Sequence, residues 1–240
     1  MQIKQRNFKA PLLQQKNYMQ VAMIEILLIF SVLVMGDIAR WLGADATDPM
    51  VAVALLIPEG VYVFILYRLA TLLTDNKSAH RMVAAVLIVV AILSLIGLLP
   101  LLSNMDIKSE LLIVVHIGLC MVECYLIALG LQDIYIDTLT LRERLWGSVA
   151  IYLLIAIGWA SFYEIFLLLD HGALGIVLVP GYQTYSEALY YSLCSLSGSG
   201  TVYASPEHYI RNLALIESVW GVLFLVMLIG RLFTVPEEKA

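Results

Sequence analysis

Residues 185–232 read YSEALYYSLCSLSGSGTVYASPEHYIRNLALIESVWGVLFLVMLIGRL. The stretch begins with an apolar segment, Tyr185 to Leu196, that is too short to cross a bilayer, because a spanning helix needs about 20 apolar residues. A run of serine, glycine and threonine follows, then Pro206, and then an apolar segment long enough to span. Irregular backbone at membrane depth occurs only where protein buries it or where it lines water. This order predicts a re-entrant helix and loop in front of a spanning helix, although an ordinary extracellular turn is an alternative.

The whole chain is strongly apolar. Of its 240 residues, 61% are hydrophobic and 14% are charged, whereas soluble domains carry roughly 45–50% apolar and about 25% charged residues. This composition argues against a water-soluble globular enzyme. Apolar segments of spanning length lie near 19–43, 50–74, 82–103, 109–132, 145–169 and 209–234. We therefore predict an all-α integral membrane protein with six transmembrane helices and a re-entrant pore helix and loop between helices 5 and 6.

The distribution of basic residues predicts the orientation. With a cytoplasmic N-terminus and six crossings, eleven of the 14 lysines and arginines lie inside, and only Arg40, Lys108 and Arg211 lie outside. Basic residues prefer cytoplasmic loops, so we expect a multi-pass protein of the cell membrane with both termini in the cytoplasm. The net charge is −5 and no basic tract is present, so nucleic acid is not an expected partner.

The segments divide the chain into five parts. We predict a cytoplasmic N-terminal segment, a four-helix peripheral domain, an interfacial linker, a pore domain and a cytoplasmic tail, at residues 1–18, 19–132, 133–144, 145–234 and 235–240. The linker mixes apolar and charged residues. This mixture is equally compatible with a helix lying along the membrane interface and with a polar helix end followed by a loop.

The segment Glu187-Ala188-Leu189-Tyr190-Tyr191-Ser192-Leu193 resembles the pore helix of the potassium-channel superfamily, which often reads [DE]-A-x-[YFW]-[YFW]-S. Arg211 falls at the basic residue that opens the family's inner helix, and Gly221 falls at the inner-helix glycine often treated as a gating hinge. The resemblance covers residues 145–234. It implies the family's order of outer helix, pore helix, filter and inner helix, arranged as a homotetramer around one pore.

The predicted filter departs from the family's signature, T-V-G-Y-G-D. Without gaps, only Gly200 coincides with a signature glycine, and Val202 replaces the second one. A β-branched valine resists positive φ, on which the carbonyl ladder of a potassium filter depends. The resemblance therefore implies an ion filter of non-standard selectivity, formed by Ser197, Gly198, Ser199, Gly200, Thr201, Val202 and Tyr203.

We accordingly expect a channel for inorganic ions, first of all monovalent cations, that is weakly selective and surrounded by membrane lipid. Glu187 suits the dipole at the start of the pore helix, and Glu217 and Gly221 are expected to support the pore or its gating. No catalytic motif, metal site or cofactor site is evident in the sequence. The alternatives are a non-conducting, channel-like membrane sensor or scaffold, and a small-solute transporter.

Acidic residues within apolar segments are expensive and are functional candidates. They are Glu25, Glu59, Glu123, Glu164 and Glu217. Glu217 is expected to brace the pore helix or to face permeating cations. Glu164 is expected to brace the re-entrant loop. His116 and Glu123 share a helix face. We expect them to form core hydrogen bonds to another helix, and a proton-relay pair is the alternative. Segment 109–132 has no arginine ladder, so we expect no conventional voltage sensing.

Overall fold

The computed structural model describes residues 11–41, 49–97, 105–134, 139–178, 180–200, 203 and 205–233. Seven α-helices and no strand lie within these residues. The helices are α1 (Pro11–Trp41), α2 (Pro49–Leu73), α3 (Lys77–Gly97), α4 (Met105–Ile134), α5 (Leu141–Leu169), α6 (Tyr182–Ser197) and α7 (His208–Phe233). The predicted all-α class is confirmed.

Four of these helices contain a stretch that is long and apolar enough to cross a membrane. In the described part of the chain, the stretches are Lys77–Gly97, Ile107–Ile134, Leu141–Leu169 and His208–Gly230. A shorter apolar stretch, Tyr18–Val34, lies within α1. By length and composition, these helices are consistent with an α-helical membrane protein.

The predicted linker at 133–144 does not form a separate element in the described residues. Helix α4 continues to Ile134 and α5 begins at Leu141, while residues 135–138 lie outside the described part of the chain. A capping box fixes the start of α5: the Thr140 hydroxyl accepts from the Glu143 backbone N–H, and the Glu143 carboxylate accepts from the Thr140 backbone N–H. The described part of this stretch therefore belongs to the end of α4 and to the capped start of α5, and the two alternatives for residues 135–138 stay predictions.

Helix α5 lies at the centre of the molecule. Sixteen of its 29 residues are buried, against five of 21 in α3. It packs against α1, α4, α6 and α7. Small residues such as Ala150, Ala156 and Ala160 are fully buried along it, and small residues let neighbouring helices approach closely in a membrane protein.

Helix α6 is too short to span. Its 16 residues cover about 24 Å at 1.5 Å per residue, which is less than the roughly 30 Å of a bilayer core. It begins at Tyr182, three residues before the predicted start of the short segment. Its last residue is Ser197. The left-handed conformation of the next residue, Gly198, with φ 69° and ψ 16°, terminates the helix.

Helix α7 contacts the rest of the protein along one narrow stripe. Among its described side chains, only Ile210, Glu217 and Gly221 are buried. Many of its other described side chains are apolar and exposed, among them Val219, Trp220, Val222, Leu223 and Val226. An apolar surface of this extent requires lipid or another protein chain against it.

Candidate functional site

The predicted filter residues follow the C-terminal end of α6. Ser197, Gly198, Ser199 and Gly200 are exposed in the single chain, while Tyr203 is half-buried. Thr201 and Val202 lie outside the described residues. The structure therefore places the first part of this segment at the open end of a short helix, where its backbone is accessible.

The two glycines of this segment have left-handed backbones. Gly198 has φ +69° and Gly200 has φ +79°, and no atom of the described residues lies within 4 Å of where a Cβ would be at either position. Glycine is thus required here for its conformation, since space for a side chain is available. Ser197 Oγ and Ser199 Oγ lie 3.0 Å apart, and each also lies within hydrogen-bond distance of the Cys194 carbonyl oxygen, at 3.3 and 3.4 Å.

Tyr203 connects the end of this segment to the flank of α6. Its hydroxyl donates a hydrogen bond to the Glu187 carboxylate, and its ring packs against Tyr190 and Tyr191. Burial, and then the bond to Glu187, raises the pKa of Tyr203, so the phenol remains a proton donor. Glu187 was expected at the start of the pore helix, but α6 begins at Tyr182, so Glu187 is a mid-helix acceptor for Tyr203 and not a helix cap.

Glu217 joins three helices. Its carboxylate accepts hydrogen bonds from Tyr163 of α5, at 2.8 Å, and from Ser192 of α6, at 2.6 Å. The Ser192 hydroxyl also lies 2.8 Å from the Ala156 carbonyl oxygen of α5. Glu217 is fully buried, so in the single chain it braces α6 between α5 and α7. Ser192 was named in the sequence only as part of the pore-helix resemblance, and Tyr163 was not singled out, because only the fold brings polar residues of separate apolar segments together.

Gly221 allows α7 to approach the C-terminal end of α6. A Cβ at this position would overlap the Leu196 backbone carbonyl oxygen. The Tyr152 hydroxyl donates to the same carbonyl oxygen at 3.3 Å. Because the last carbonyls of a helix lack partners within the helix, these contacts tie the end of α6 to α5 and α7. The observed role of Gly221 is this close approach; its predicted role in gating stays a prediction.

A second set of polar side chains lies between α2, α4, α5 and α6, and we name it the intramembrane polar cluster. Glu123 Oε1 accepts from the Tyr62 hydroxyl and, at 3.2 Å, from the Ser161 hydroxyl. His116 Nε2 lies 2.9 Å from Glu164 Oε2. The members of the cluster are Glu59, Tyr62, His116, Glu123, Ser161, Glu164 and Tyr185.

The contacts within the cluster bear on the two predicted roles of His116 and Glu123, which are core hydrogen bonding to other helices and a proton-relay pair. Both side chains bind partners on other helices, as expected for core hydrogen bonding, and no direct bond between them is observed in the described structure. Glu164 was expected to brace the re-entrant loop, but its contact is with His116 of α4. Within the described residues, no group of three histidine, cysteine or acidic side chains is arranged to hold a metal ion.

No known family model, curated protein or solved structure matches this chain.

Proposed function

We propose that this protein is an ion-channel subunit that assembles as a homotetramer in the cell membrane. The observation that carries the proposal is α6, a helix too short to span that is held against two long apolar helices and opens into an exposed glycine-containing turn. A short helix and a non-helical return fit a membrane only where protein buries them or where they line water. The exposure of residues 197–200 in the single chain favours the second of these arrangements. The resemblance of Glu187–Leu193 to a potassium-channel pore helix supports the same function.

The need for several copies follows from the chemistry of ion binding. A filter replaces the hydration shell of an ion with several carbonyl or hydroxyl oxygens, and one loop offers too few of them. The exposed apolar surface of α7, which includes Trp220 and Leu223, supplies an area that neighbouring subunits and lipid can cover. Residues 197–203 of each copy would then meet around one axis.

Cations are the favoured permeant ions. The C-terminal end of α6 leads into the proposed filter, and a helix C-terminus carries a partial negative charge of roughly half an elementary charge. Val202 in place of the second signature glycine favours weak selectivity among monovalent cations. Together with the distribution of basic residues, this predicts a multi-pass channel with cytoplasmic termini.

One observation favours the alternative of a non-conducting relative. The hydroxyls of Ser197 and Ser199 are within hydrogen-bond distance of each other and of the Cys194 carbonyl oxygen. Hydroxyls that are engaged within their own turn are less available to an ion. A sensor or scaffold would keep the brace around α6 without using the turn for conduction.

Cation flux into liposomes that contain the purified protein tests the proposal, alongside native mass spectrometry of the same preparation. We expect a mass close to that of a tetramer of the 26.7 kDa chain, and potassium and sodium flux above that of empty liposomes. The variant Gly198→Ala should reduce the flux while the tetramer persists, and Gly230→Ala, at an open position in α7, is the matched control. A monomer or dimer contradicts the shared pore, and a tetramer without flux supports the non-conducting alternative.

A further inference from the structure

The intramembrane polar cluster carries more acid than base. Together with Glu25 of α1, which interacts electrostatically with Tyr62, it contains the carboxyl groups of Glu59, Glu123 and Glu164 against one imidazole, that of His116. The electrostatic partners described for Glu59, Glu123 and His116 include no lysine or arginine. If every group were ionised, the buried charge would be strongly negative, and such a charge is costly inside a membrane.

Several polar atoms of the cluster are buried and have no hydrogen-bond partner among the described residues. They are Glu123 Oε2 and His116 Nδ1, and both oxygens of Glu25 are in the same state. Glu25 and Glu123 are fully buried. A carboxylate without a counter-charge in such surroundings is most cheaply neutralised by taking up a proton. Protons are favoured over metal ions as the bound species, because no metal-ligating geometry occurs among the described residues.

We propose that the intramembrane polar cluster is a proton-binding site, and that the protons bound there set the position of α6. Proton binding and its effect on α6 do not depend on the proposed channel function. If a movement of α6 alters ion conduction, that effect rests on the proposed channel function. The titratable groups that face the site are Glu25 from α1, Glu59 and Tyr62 from α2, His116, Cys120 and Glu123 from α4, Glu164 from α5 and Tyr185 from α6. The contribution of α3 is Ser94, which hydrogen-bonds Glu59.

His116 links the cluster to α6. Its ring stacks on the Tyr185 ring, with centroids 5.6 Å apart and an angle of 24° between the planes, while its Nε2 contacts Glu164 of α5. The N-terminal part of α6 is also attached to α1, because the Tyr182 hydroxyl donates to the Val32 carbonyl oxygen and Ser186 Oγ lies 3.4 Å from the same oxygen. A change in the charge of His116 alters its contact with Glu164 and so moves the imidazole ring on which Tyr185 of α6 stacks.

The cluster lies nearer to one side of the membrane. Glu164 is five residues from the end of α5 that leads into the loop before α6. On the opposite side of the cluster, Leu66, Leu69, Leu126, Ile151 and Leu154 are fully buried. This placement favours access of protons from the side of the α5–α6 loop, because apolar packing lies on the other side of the cluster.

Infrared absorption of the intact protein in liposomes tests proton binding without any assay of conduction. At neutral pH we expect the carbonyl band of a protonated carboxylic acid that is shielded from water. The band should be reduced in Glu123→Gln and in Glu25→Gln, whose carboxyl oxygens include the unpartnered ones, while Glu110→Gln, at an exposed position of α4, should leave it unchanged. Absence of the band at neutral pH, or a band that none of the cluster variants alters, would overturn the proposal.

Hydrogen exchange of residues 182–197, corrected for the intrinsic effect of pH, tests the coupling to α6. We expect the protection of α6 to change as pH is lowered, and this response should be lost in His116→Gln. His208→Gln is the matched control, because His208 is exposed at the start of α7. An unchanged response in His116→Gln contradicts the coupling. If the exchange response is present but liposomes show no flux at any pH, the proton site stands and the channel function fails.

Discussion

Glu217 is a buried residue of α7 whose carboxylate accepts hydrogen bonds from two other helices. Its donors, Tyr163 and Ser192, come from α5 and α6, so one side chain fixes three elements relative to one another. Hydrogen bonds between membrane helices contribute about 0.6 kcal/mol on average and about 1.7 at most. The geometry here, with two donors on one buried carboxylate, belongs at the upper part of that range.

Tyr163→Phe should lower the free energy of unfolding by about 1 kcal/mol, because it removes one donor from a buried carboxylate. Thermal or denaturant unfolding of the protein in detergent measures this loss. Tyr209→Phe is the control: Tyr209 bonds Asp170 at 3.2 Å in an exposed position, where a substitution changes stability by less than about 0.5 kcal/mol. Equal stability of the two variants would mean that the brace does not stabilise the fold.

Gly221→Ala should destabilise the protein by about 1–3 kcal/mol, the usual range for overpacking. The added methyl group would overlap the Leu196 carbonyl oxygen, which is backbone and has little freedom to move. Gly230→Ala on the same helix meets no atom within 4 Å, so it should be neutral or stabilising by up to about 1 kcal/mol. If both variants unfold alike, α7 does not approach α6 as closely as described.

Single residues were only partly predictable from the sequence. An acid inside an apolar segment is conspicuous, and Glu217, Glu123 and Glu164 were all recognised as candidates. His116, the partner of Glu164, was also recognised. Tyr163 and Ser161 were not, because they are ordinary members of an apolar helix until the fold brings them to a carboxylate. The position of Glu187 was misjudged for a related reason: the start of α6 depends on Gly181 and the preceding loop, not on the acid itself.

At the scale of elements, hydropathy located the helices and local caps determined their ends. The predicted segment at 145–169 lies within α5, whose earlier start at Leu141 is fixed by the bonds between Thr140 and Glu143. Likewise, the predicted short segment ended at Leu196, and α6 ends one residue later, where Gly198 takes the left-handed conformation. Apolar periodicity carries no information on such caps, so the ends of helices are less predictable than their centres.

Gly198→Ala should cost roughly 1–2 kcal/mol, the penalty for an L-residue in the left-handed region. Because the surroundings of Gly198 are open, the whole effect should come from the backbone. Gly198→Asn should therefore be milder, since asparagine tolerates this conformation better than alanine. Unfolding of both variants in detergent checks the order, and an equal or reversed order would show that α6 does not end in this way.

At the scale of the whole molecule, the exposed apolar surface follows from how little of α7 is buried. Sequence composition predicted a membrane protein, and the apolar helices bear this out. It did not predict that α5 would be the central helix, because the apolar segments look alike in composition and only packing distinguishes them. The number of subunits and the permeant ion remain predictions.

The peripheral helices should not produce steep voltage dependence. Within Ile107–Ile134 of α4, the only lysine or arginine is Lys108, and moving one charge through 100 mV changes the free energy by only about 2.3 kcal/mol. We expect currents across a planar bilayer to vary gradually with voltage. A sigmoidal activation equivalent to several gating charges would contradict this expectation.

The central position of α5 limits how chimeric proteins can be built from this chain. Within a single turn of α5, Ser161 and Glu164 contact side chains of α4, while Tyr163 contacts Glu217 of α7. Successive residues are offset by about 100° around a helix, so inserting or deleting one residue upstream would rotate both sets of partners out of place together. A chimera joined between α4 and α5 must therefore keep residues 161–164 matched to both sides, and the two halves of this chain are not independent building blocks.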